Sequence, residues 1–207
     1  ILLLLIGWGF GGFLEGMAGF GTAVAIPAGI LCGLGFSPIP ATVACLVANA
    51  TPTAFGSVGI PTVTLAQLTE ISQGSLAWDT TVQLLPLILI TPFVMVIIEG
   101  KSVRALKGIW PITLASGIAF AIPELLAARF LGAELPVIIG SVCSMAVTIL
   151  MARKNPQSRE KEYLIGDKKQ EEICQESENR ITIAEAVKAC IPFILIFVFL
   201  LLTSSMV

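Results

Sequence analysis

Glu15 is the residue best suited to chemistry in the first third of the chain. It is the only charged side chain between Ile1 and Thr69, and it lies in the glycine-rich run GWGFGGFLEGMAGFGTAVAIP, which ends at Pro27. An ionisable carboxyl in apolar sequence is costly unless it is neutralised, paired or hydrated, so such residues usually face a cavity. We therefore predict that Glu15 takes up and releases a proton. The alternative is a structural role, in which the carboxyl caps a nearby helix end.

A second candidate site is the segment NATPTAFGSVGIP, from Asn49 to Pro61. Its two prolines and two glycines interrupt an uncharged apolar stretch, which predicts a broken helix. At such a break, half-helix N-termini attract carboxylates and freed carbonyls bind cations. Since no Lys or Arg is near, we predict that the break itself holds a small anion. The polar side chains available there are Asn49, Thr51, Thr53 and Ser57.

The usual catalytic and metal-binding patterns are missing from the sequence. There is no histidine, and the five cysteines have no paired spacing, which removes imidazole chemistry and the common metal motifs. A Gly-x-Gly-x-x-Gly pattern at Gly7, Gly9 and Gly12 lacks the strand and the acidic residue of a dinucleotide site. We therefore predict no catalytic residue, no metal and no cofactor, and we predict that the protein is not an enzyme.

The composition is that of a membrane protein. Of 207 residues, 56% are hydrophobic and 13% are charged, whereas soluble domains carry about 25% charge. The net charge is -2, and no Lys or Arg precedes Lys101, so the first half of the chain has no surface for nucleic acid. The partner that this composition indicates is the lipid bilayer.

The elements that must position the candidate residues are predicted to be helices. A span needs roughly 20 apolar residues, and about six to seven hydrophobic segments are present. The first three are rich in glycine and proline and are predicted to be broken or re-entrant; the last four are predicted to span, or to begin a span. The segments are Ile1–Leu14, Phe20–Phe36, Ala41–Leu68, Val82–Ile98, Ile109–Ala128, Leu135–Met151 and Ala189–Leu202. The predicted fold class is an all-α, polytopic membrane protein.

Many of the glycines in the first segments are explained by helix packing. Ten of the 19 glycines fall between Gly7 and Gly35. Small residues four positions apart let helix backbones approach closely. The pairs with this spacing are Gly7 and Gly11, Gly12 and Gly16, and Gly29 and Gly33.

The charge distribution divides the chain into three parts. Residues 1–152 are predicted to form a transmembrane bundle, 153–188 a hydrophilic loop that holds 16 of the 26 charges, and 189–207 a truncated transmembrane helix. The loop with Lys101, Arg104 and Lys107 and the loop that starts at Arg153 flank two spans, so both are predicted on the cytoplasmic face. The chain starts without Met inside an apolar run, so we expect it to be part of a longer protein.

Five stretches of the sequence resemble the L-lactate permease family. They are Phe13–Ile26, Gly33–Pro38, Asn49–Pro61, Gly108–Pro111 and Leu131–Pro136, and together they extend over most of the chain. The resemblance implies a longer polytopic permease that imports lactate, and often glycolate, together with protons. The sequence is also similar to a wider ion-transporter superfamily, whose members place re-entrant hairpins and broken helices at the substrate site.

The resemblance applies to individual residues of the two candidate sites. Glu15, Gly16, Gly19 and Gly21 match the first motif, and Asn49, Pro52, Gly56 and Pro61 match the second, whereas Met17, Thr22, Thr51 and Thr53 stand where members differ. Glu124 matches no motif and is interpreted as a carboxyl near the outer end of a span.

The predicted function is secondary active import of L-lactate, and also of D-lactate or glycolate, by proton symport at the cell membrane. Glu15 is assigned to proton coupling, and eight residues to the substrate: Gly19, Gly21, Thr22, Asn49, Thr51, Thr53, Gly56 and Ser57. Sodium coupling remains open, because freed carbonyls and Thr or Asn oxygens bind hard cations. A membrane-embedded enzyme and a structural subunit are further alternatives, and the oligomeric state is not predicted.

Overall fold

The computed structural model describes residues 1–19, 21–154 and 195, and the described residues are helical with no strand among them. This confirms the all-α prediction. The helices are α1 (Leu3–Met17), α2 (Thr22–Gly33), α3 (Pro38–Asn49), α4 (Gly56–Thr69), α5 (Gln73–Gly100), α6 (Trp110–Phe130) and α7 (Pro136–Lys154). Short 3₁₀ turns lie at Pro52–Phe55 and Val103–Leu106.

These helices belong to the first of two compact units, Ile1–Ile165. The predicted loop 153–188 and the predicted helix 189–207 lie outside the described residues, apart from Arg153 and Lys154 in the last turn of α7 and the helical Leu195. The three-part division of the chain therefore stays a prediction.

Among the described residues, three helices are long and apolar enough to cross a membrane: α5, α6 and α7. Helix α5 contains the predicted segment Val82–Ile98, and α6 and α7 begin one residue after the starts of the predicted segments Ile109–Ala128 and Leu135–Met151. Helix α5 begins well before its apolar segment, because the Ser72 hydroxyl caps it by accepting from the Ser75 amide at 3.4 Å. Helix α5 contains two prolines, Pro86 and Pro92, and membrane helices tolerate proline where neighbouring helices or hydroxyl side chains satisfy the backbone groups that it frees.

Of the first three apolar segments, the first two form the short helices α1 and α2, and the third is broken, as predicted. Helix α1 is wound as a π-helix over Leu3–Phe10, and it ends at Met17, before the short link to α2. Helices α3 and α4 together are apolar enough for one span, but they are bent by 55° at the 3₁₀ turn Pro52–Phe55. Each break leaves backbone groups without helical partners in the interior of the molecule.

The glycines of α1 let it lie close to its neighbours. A Cβ on Gly12 would be 3.0 Å from Phe120 of α6, and a Cβ on Gly16 would be 2.8 Å from Ile138 of α7. The Trp8 and Phe120 rings also pack here, with centroids 4.7 Å apart. By contrast, Gly29 and Gly33 of α2 meet nothing within 4 Å in the described part of the chain, so the packing prediction holds for α1 alone.

The two basic segments lie at the same end of the helices. Met151, near the end of α7, and Ala105 and Leu106, between α5 and α6, pack on one apolar cluster with Leu4 and Ile112. The loop of Lys101, Arg104 and Lys107 and the basic end of α7 are therefore on one side, as the charge pattern predicts. That this side is cytoplasmic stays a prediction.

Candidate functional site

A cavity of about 140 Å³ lies where the two helix breaks meet. Its walls come from both sides of these breaks: from α1 and its link to α2, and from the stretch that runs from the end of α3 into the first turns of α4. The lining residues are Glu15, Gly21, Asn49, Thr53, Gly56, Ser57 and Pro61. The fold thus brings together the two motifs that the sequence singled out, although more than thirty residues separate Glu15 from Asn49.

Glu15 presents its carboxyl to this cavity while its side chain is only 3% exposed. The Asn49 side-chain amide faces the carboxyl, whereas Oε2 of Glu15 and Oδ1 of Asn49 are buried without a hydrogen-bond partner. Gly56 makes room for the carboxyl, because a Cβ there would be 2.5 Å from Oε1. The cavity therefore holds two buried oxygen acceptors that the described protein atoms leave unsatisfied.

The first residues of α4 form a left-handed turn rather than a helix. Ser57, Val58 and Gly59 have φ of 47°, 62° and 73°. For a β-branched residue such as Val58 this conformation is strained, and strained backbone persists only where the surrounding structure enforces it. The enforcing contact at Gly59 is the backbone of Ala133, which a Cβ on Gly59 would overlap.

Ser57 joins the two breaks directly. Its hydroxyl donates to the carbonyl oxygen of Ala18 at 2.9 Å. Gly19, which follows Ala18 in the chain, has φ of 59°, and a Cβ on Gly19 would overlap Oγ of Ser57. Gly19 therefore positions Ser57 and does not itself line the cavity.

Helix α2 directs its N-terminus toward the cavity. The residue before it, Gly21, lines the cavity and has φ of 95°, and no side chain caps the helix. A helix N-terminus carries partial positive charge and unpaired amide donors. In the described part of the chain no lysine or arginine lines the cavity, so this helix end is a source of positive potential there without a basic side chain.

The end of α3 is closed by side-chain hydrogen bonds. The Thr53 hydroxyl donates to the Asn49 carbonyl, and the Asn49 amide donates back to Oγ1 of Thr53 at 3.4 Å. Thr62 of α4 donates to the Ala54 carbonyl at 2.6 Å and so fastens the 3₁₀ turn to α4. These bonds fix the polar wall formed by Asn49 and Thr53.

Three of the residues assigned to the substrate from sequence lie outside the cavity lining. Thr51 is 1% exposed and donates to the Ala48 carbonyl at 3.3 Å. Thr22 is exposed and donates to the Gly19 carbonyl at 2.7 Å, and Gly19 contacts Ser57 as described above. The other five assigned residues line the cavity with Glu15 and Pro61.

Two further buried carboxyls were not predicted as functional. Glu124, which the sequence places near the outer end of a span, is completely buried, and both its oxygens lack a partner. Glu99, at the end of α5, is 9% exposed, and its Oε2 has no partner. The available signal for Glu124 was the one used for Glu15, an isolated acid in apolar sequence. Within the described residues, no three His, Cys, Asp or Glu side chains cluster as metal ligands would.

The fold and the cavity define a class: multi-pass helical membrane proteins with broken helices around a small polar cavity. A model of the L-lactate permease family matches residues 1–207, and the chain belongs to this family. Membership and the three spanning helices confirm the predicted multi-pass location in the cell membrane.

Individual relatives agree with this assignment. The L-lactate permease of Streptococcus iniae is 47% identical over 206 residues, which is 100% of this chain and 41% of that protein. The L-lactate permease of Bacillus subtilis (strain 168) is 44% identical over 143 residues, 69% of this chain and 25% of that protein. The glycolate permease GlcA of Escherichia coli (strain K12) is 38% identical over 152 residues, 73% of this chain and 27% of that protein. The chain thus spans less than half the length of these relatives, and no solved structure matches it.

Proposed function

We propose that the full-length protein imports L-lactate, with D-lactate or glycolate as further substrates, by proton symport, and that the cavity binds the substrate. The observation that carries this proposal is the meeting of both motifs at one cavity, with Glu15 in its wall and no basic lining residue in the described part of the chain. The names of the relatives, L-lactate permease and glycolate permease, support a small 2-hydroxy monocarboxylate as substrate.

The size and the polar groups of the cavity suit this substrate. Its volume is about 140 Å³, and a protein cavity of about 150 Å³ holds benzene, which has as many non-hydrogen atoms as lactate. The substrate carboxylate is assigned to the N-terminal end of α2 beside Gly21, where the helix dipole favours an anion. The substrate hydroxyl is assigned to Asn49, Thr53 and Ser57, which are donors and acceptors in the same wall.

The position of Glu15 supplies a reason for coupling to protons. An ionised Glu15 and a bound carboxylate in one small cavity would repel each other by about 4 kcal/mol at 4 Å in an effective dielectric of about 20. Protonation of Glu15 removes this repulsion, and the protonated carboxyl also gains a donor for the substrate. Substrate anion and proton therefore bind together and leave together, which is the requirement for symport.

Sodium coupling is the second candidate, and one observation favours it. Oε2 of Glu15 and Oδ1 of Asn49 are both buried without partners at the same cavity, and such oxygens are ligands for a hard cation. Uptake measured at fixed pH with and without sodium separates the two candidates. Proton symport predicts equal uptake in sodium and choline buffers.

The proton assignment is tested with Glu15→Gln in the full-length protein reconstituted in proteoliposomes. The variant is expected to exchange labelled L-lactate across the membrane but not to accumulate it under an imposed pH gradient. The matched control is Glu70→Gln, because Glu70 is an exposed carboxyl at the end of α4. Unchanged uphill uptake by Glu15→Gln at every pH would remove Glu15 from the coupling mechanism.

A further inference from the structure

Glu124 lies inside the contact between α6 and α7. Its side chain is 0% exposed, and neither carboxyl oxygen has a hydrogen-bond partner. Helix α7 covers it at Gly140, where a Cβ would come within 3.1 Å of Cβ of Glu124 and 2.8 Å of the Phe120 carbonyl oxygen. The Glu124 side chain is thus enclosed where the two backbones approach closely, in the last third of α6 and near the start of α7.

The buried hydroxyl side chains of this helix pair have partners. Ser116 and Ser144 lie 2.9 Å apart through their hydroxyls, and Thr148 is 3.0 Å from Oγ of Ser116. Thr113 donates to the Ile109 carbonyl at 3.0 Å, and Ser141 to the Ile138 carbonyl at 2.9 Å. Buried polar groups are nearly always satisfied in this way. The Glu124 carboxyl is therefore the exception among the buried polar groups of this interface, and its lack of a partner requires an explanation.

No charged group within the described residues compensates Glu124. An ionised carboxylate without a partner in such a place is very unfavourable, and neutralisation by a proton removes most of the cost. The titratable groups on α6 and on the described elements packed against it are Glu15, Asp79, Glu99, Arg129, Cys143, Arg153 and Lys154, and none of them bonds to the Glu124 carboxyl.

We propose that Glu124 is a second proton-binding site, separate from Glu15, which holds its proton in the conformation described here. The proton leaves when α6 and α7 move apart enough for water to reach the carboxyl. Helix α7 also touches the segment that carries Glu15, because Gly16 packs against Ile138, two residues before Gly140. A displacement of α7 would thus alter the surroundings of both carboxyls. The transport part of this inference rests on the proposed symport, whereas proton binding itself does not.

Infrared difference spectra of the purified full-length protein test the protonation directly. Spectra in acidic and alkaline buffer are compared for the wild type, Glu124→Gln, Glu15→Gln and the exposed-site control Glu70→Gln. We expect a carboxylic-acid C=O band of an unbonded, water-excluded acid in the wild type that disappears in Glu124→Gln and persists in the other two variants. An unchanged band in Glu124→Gln would overturn the proposal.

A second variant, Glu124→Leu, separates proton binding from packing. Because leucine fills similar space without an unpartnered carboxyl, we expect a melting temperature equal to or above that of the wild type. Exchange of labelled L-lactate should stay within about twofold of the wild-type rate, whereas accumulation driven by a pH gradient should be lost. The role of Glu124 in transport would be overturned if Glu124→Leu accumulated lactate as the wild type does, with unchanged pH dependence. It would also be overturned if the melting temperatures of both Glu124→Gln and Glu124→Leu fell markedly. If the wild type moved no lactate, the proposed function would fail, and the infrared band would still decide whether Glu124 holds a proton.

Discussion

The Ser57 hydroxyl donates to the Ala18 carbonyl oxygen across 39 positions of sequence, at 2.9 Å. This bond joins the break after α1 to the break before α4, and both breaks line one cavity. The Ala18 carbonyl is one of the acceptors freed where α1 ends, so the bond satisfies a buried group and sets the distance between the cavity walls.

Removal of this bond by Ser57→Ala is expected to lower both stability and uptake. A net loss of about 1 kcal/mol is typical for one buried hydrogen bond, and the freed Ala18 carbonyl adds to it. The control is Thr69→Ala, since the Thr69 hydroxyl makes an exposed bond to Leu65 within α4. Melting temperature and the KM for lactate uptake would be measured; equal effects of the two substitutions would contradict the joining role of Ser57.

Gly56→Ala is expected to abolish uptake without unfolding the protein. The added Cβ would be 2.5 Å from Oε1 of Glu15, so the carboxyl must move out of its position against Asn49. Gly29→Ala is the matched control, because nothing described lies within 4 Å of its Cβ. In the helix interior that substitution should stabilise by about 0.5–1 kcal/mol. Normal lactate uptake by Gly56→Ala would show that the position of the carboxyl is unimportant.

Val58→Gly tests the left-handed turn. Val58 has φ of 62°, and relief of that conformation is worth about 1–2 kcal/mol, which offsets the greater flexibility of glycine in the unfolded chain. We expect an unchanged or higher melting temperature. Val63→Gly, in the regular part of the same helix, should lower it, since Val63 packs against the core in a helical conformation. A lower melting temperature in Val58→Gly than in Val63→Gly would argue against strain at this turn.

Ser116→Ala is expected to affect stability but not transport. The substitution removes the hydroxyl that meets both Ser144 and Thr148. Those two side chains keep their bonds to the Ser116 and Ser144 carbonyls, so the loss should be about 0.6 kcal/mol, the average for such bonds between membrane helices. Thermal unfolding and lactate uptake would be compared with the wild type; a tenfold loss of uptake would indicate that the hydroxyl cluster takes part in transport.

The sequence was sufficient to single out Glu15 and Asn49 as candidates. Glu15 is a charged residue in an apolar run, and Asn49 begins a cluster of polar residues and prolines in another apolar run. The cavity that joins them depends on long-range contacts such as that of Ser57 with Ala18, which spacing along the chain does not reveal. The left-handed backbone conformation of Val58 could not be predicted from the sequence, for a related reason. A β-branched residue disfavours that conformation, and only the surrounding packing imposes it.

The burial of Glu124 is a second feature that the sequence does not predict. The sequence places Glu124 near the outer end of a span, but position along a helix says nothing about which face of the helix the residue occupies. The side chain lies on the same face as Phe120, one turn earlier, and both are covered by Gly140 of α7. The absence of a side chain at Gly140 is what allows the burial.

The enclosure of Glu124 also has a consequence for biosynthesis. A segment that leaves the translocon alone exposes its whole circumference to lipid, and an acidic side chain raises the cost of that step. Helix α7 covers Glu124 at Gly140 and supplies the hydroxyl partners of Ser116, and five residues separate the two helices. We therefore expect α6 to be retained at the translocon until α7 has been synthesised, so that the two are released into the bilayer as a pair.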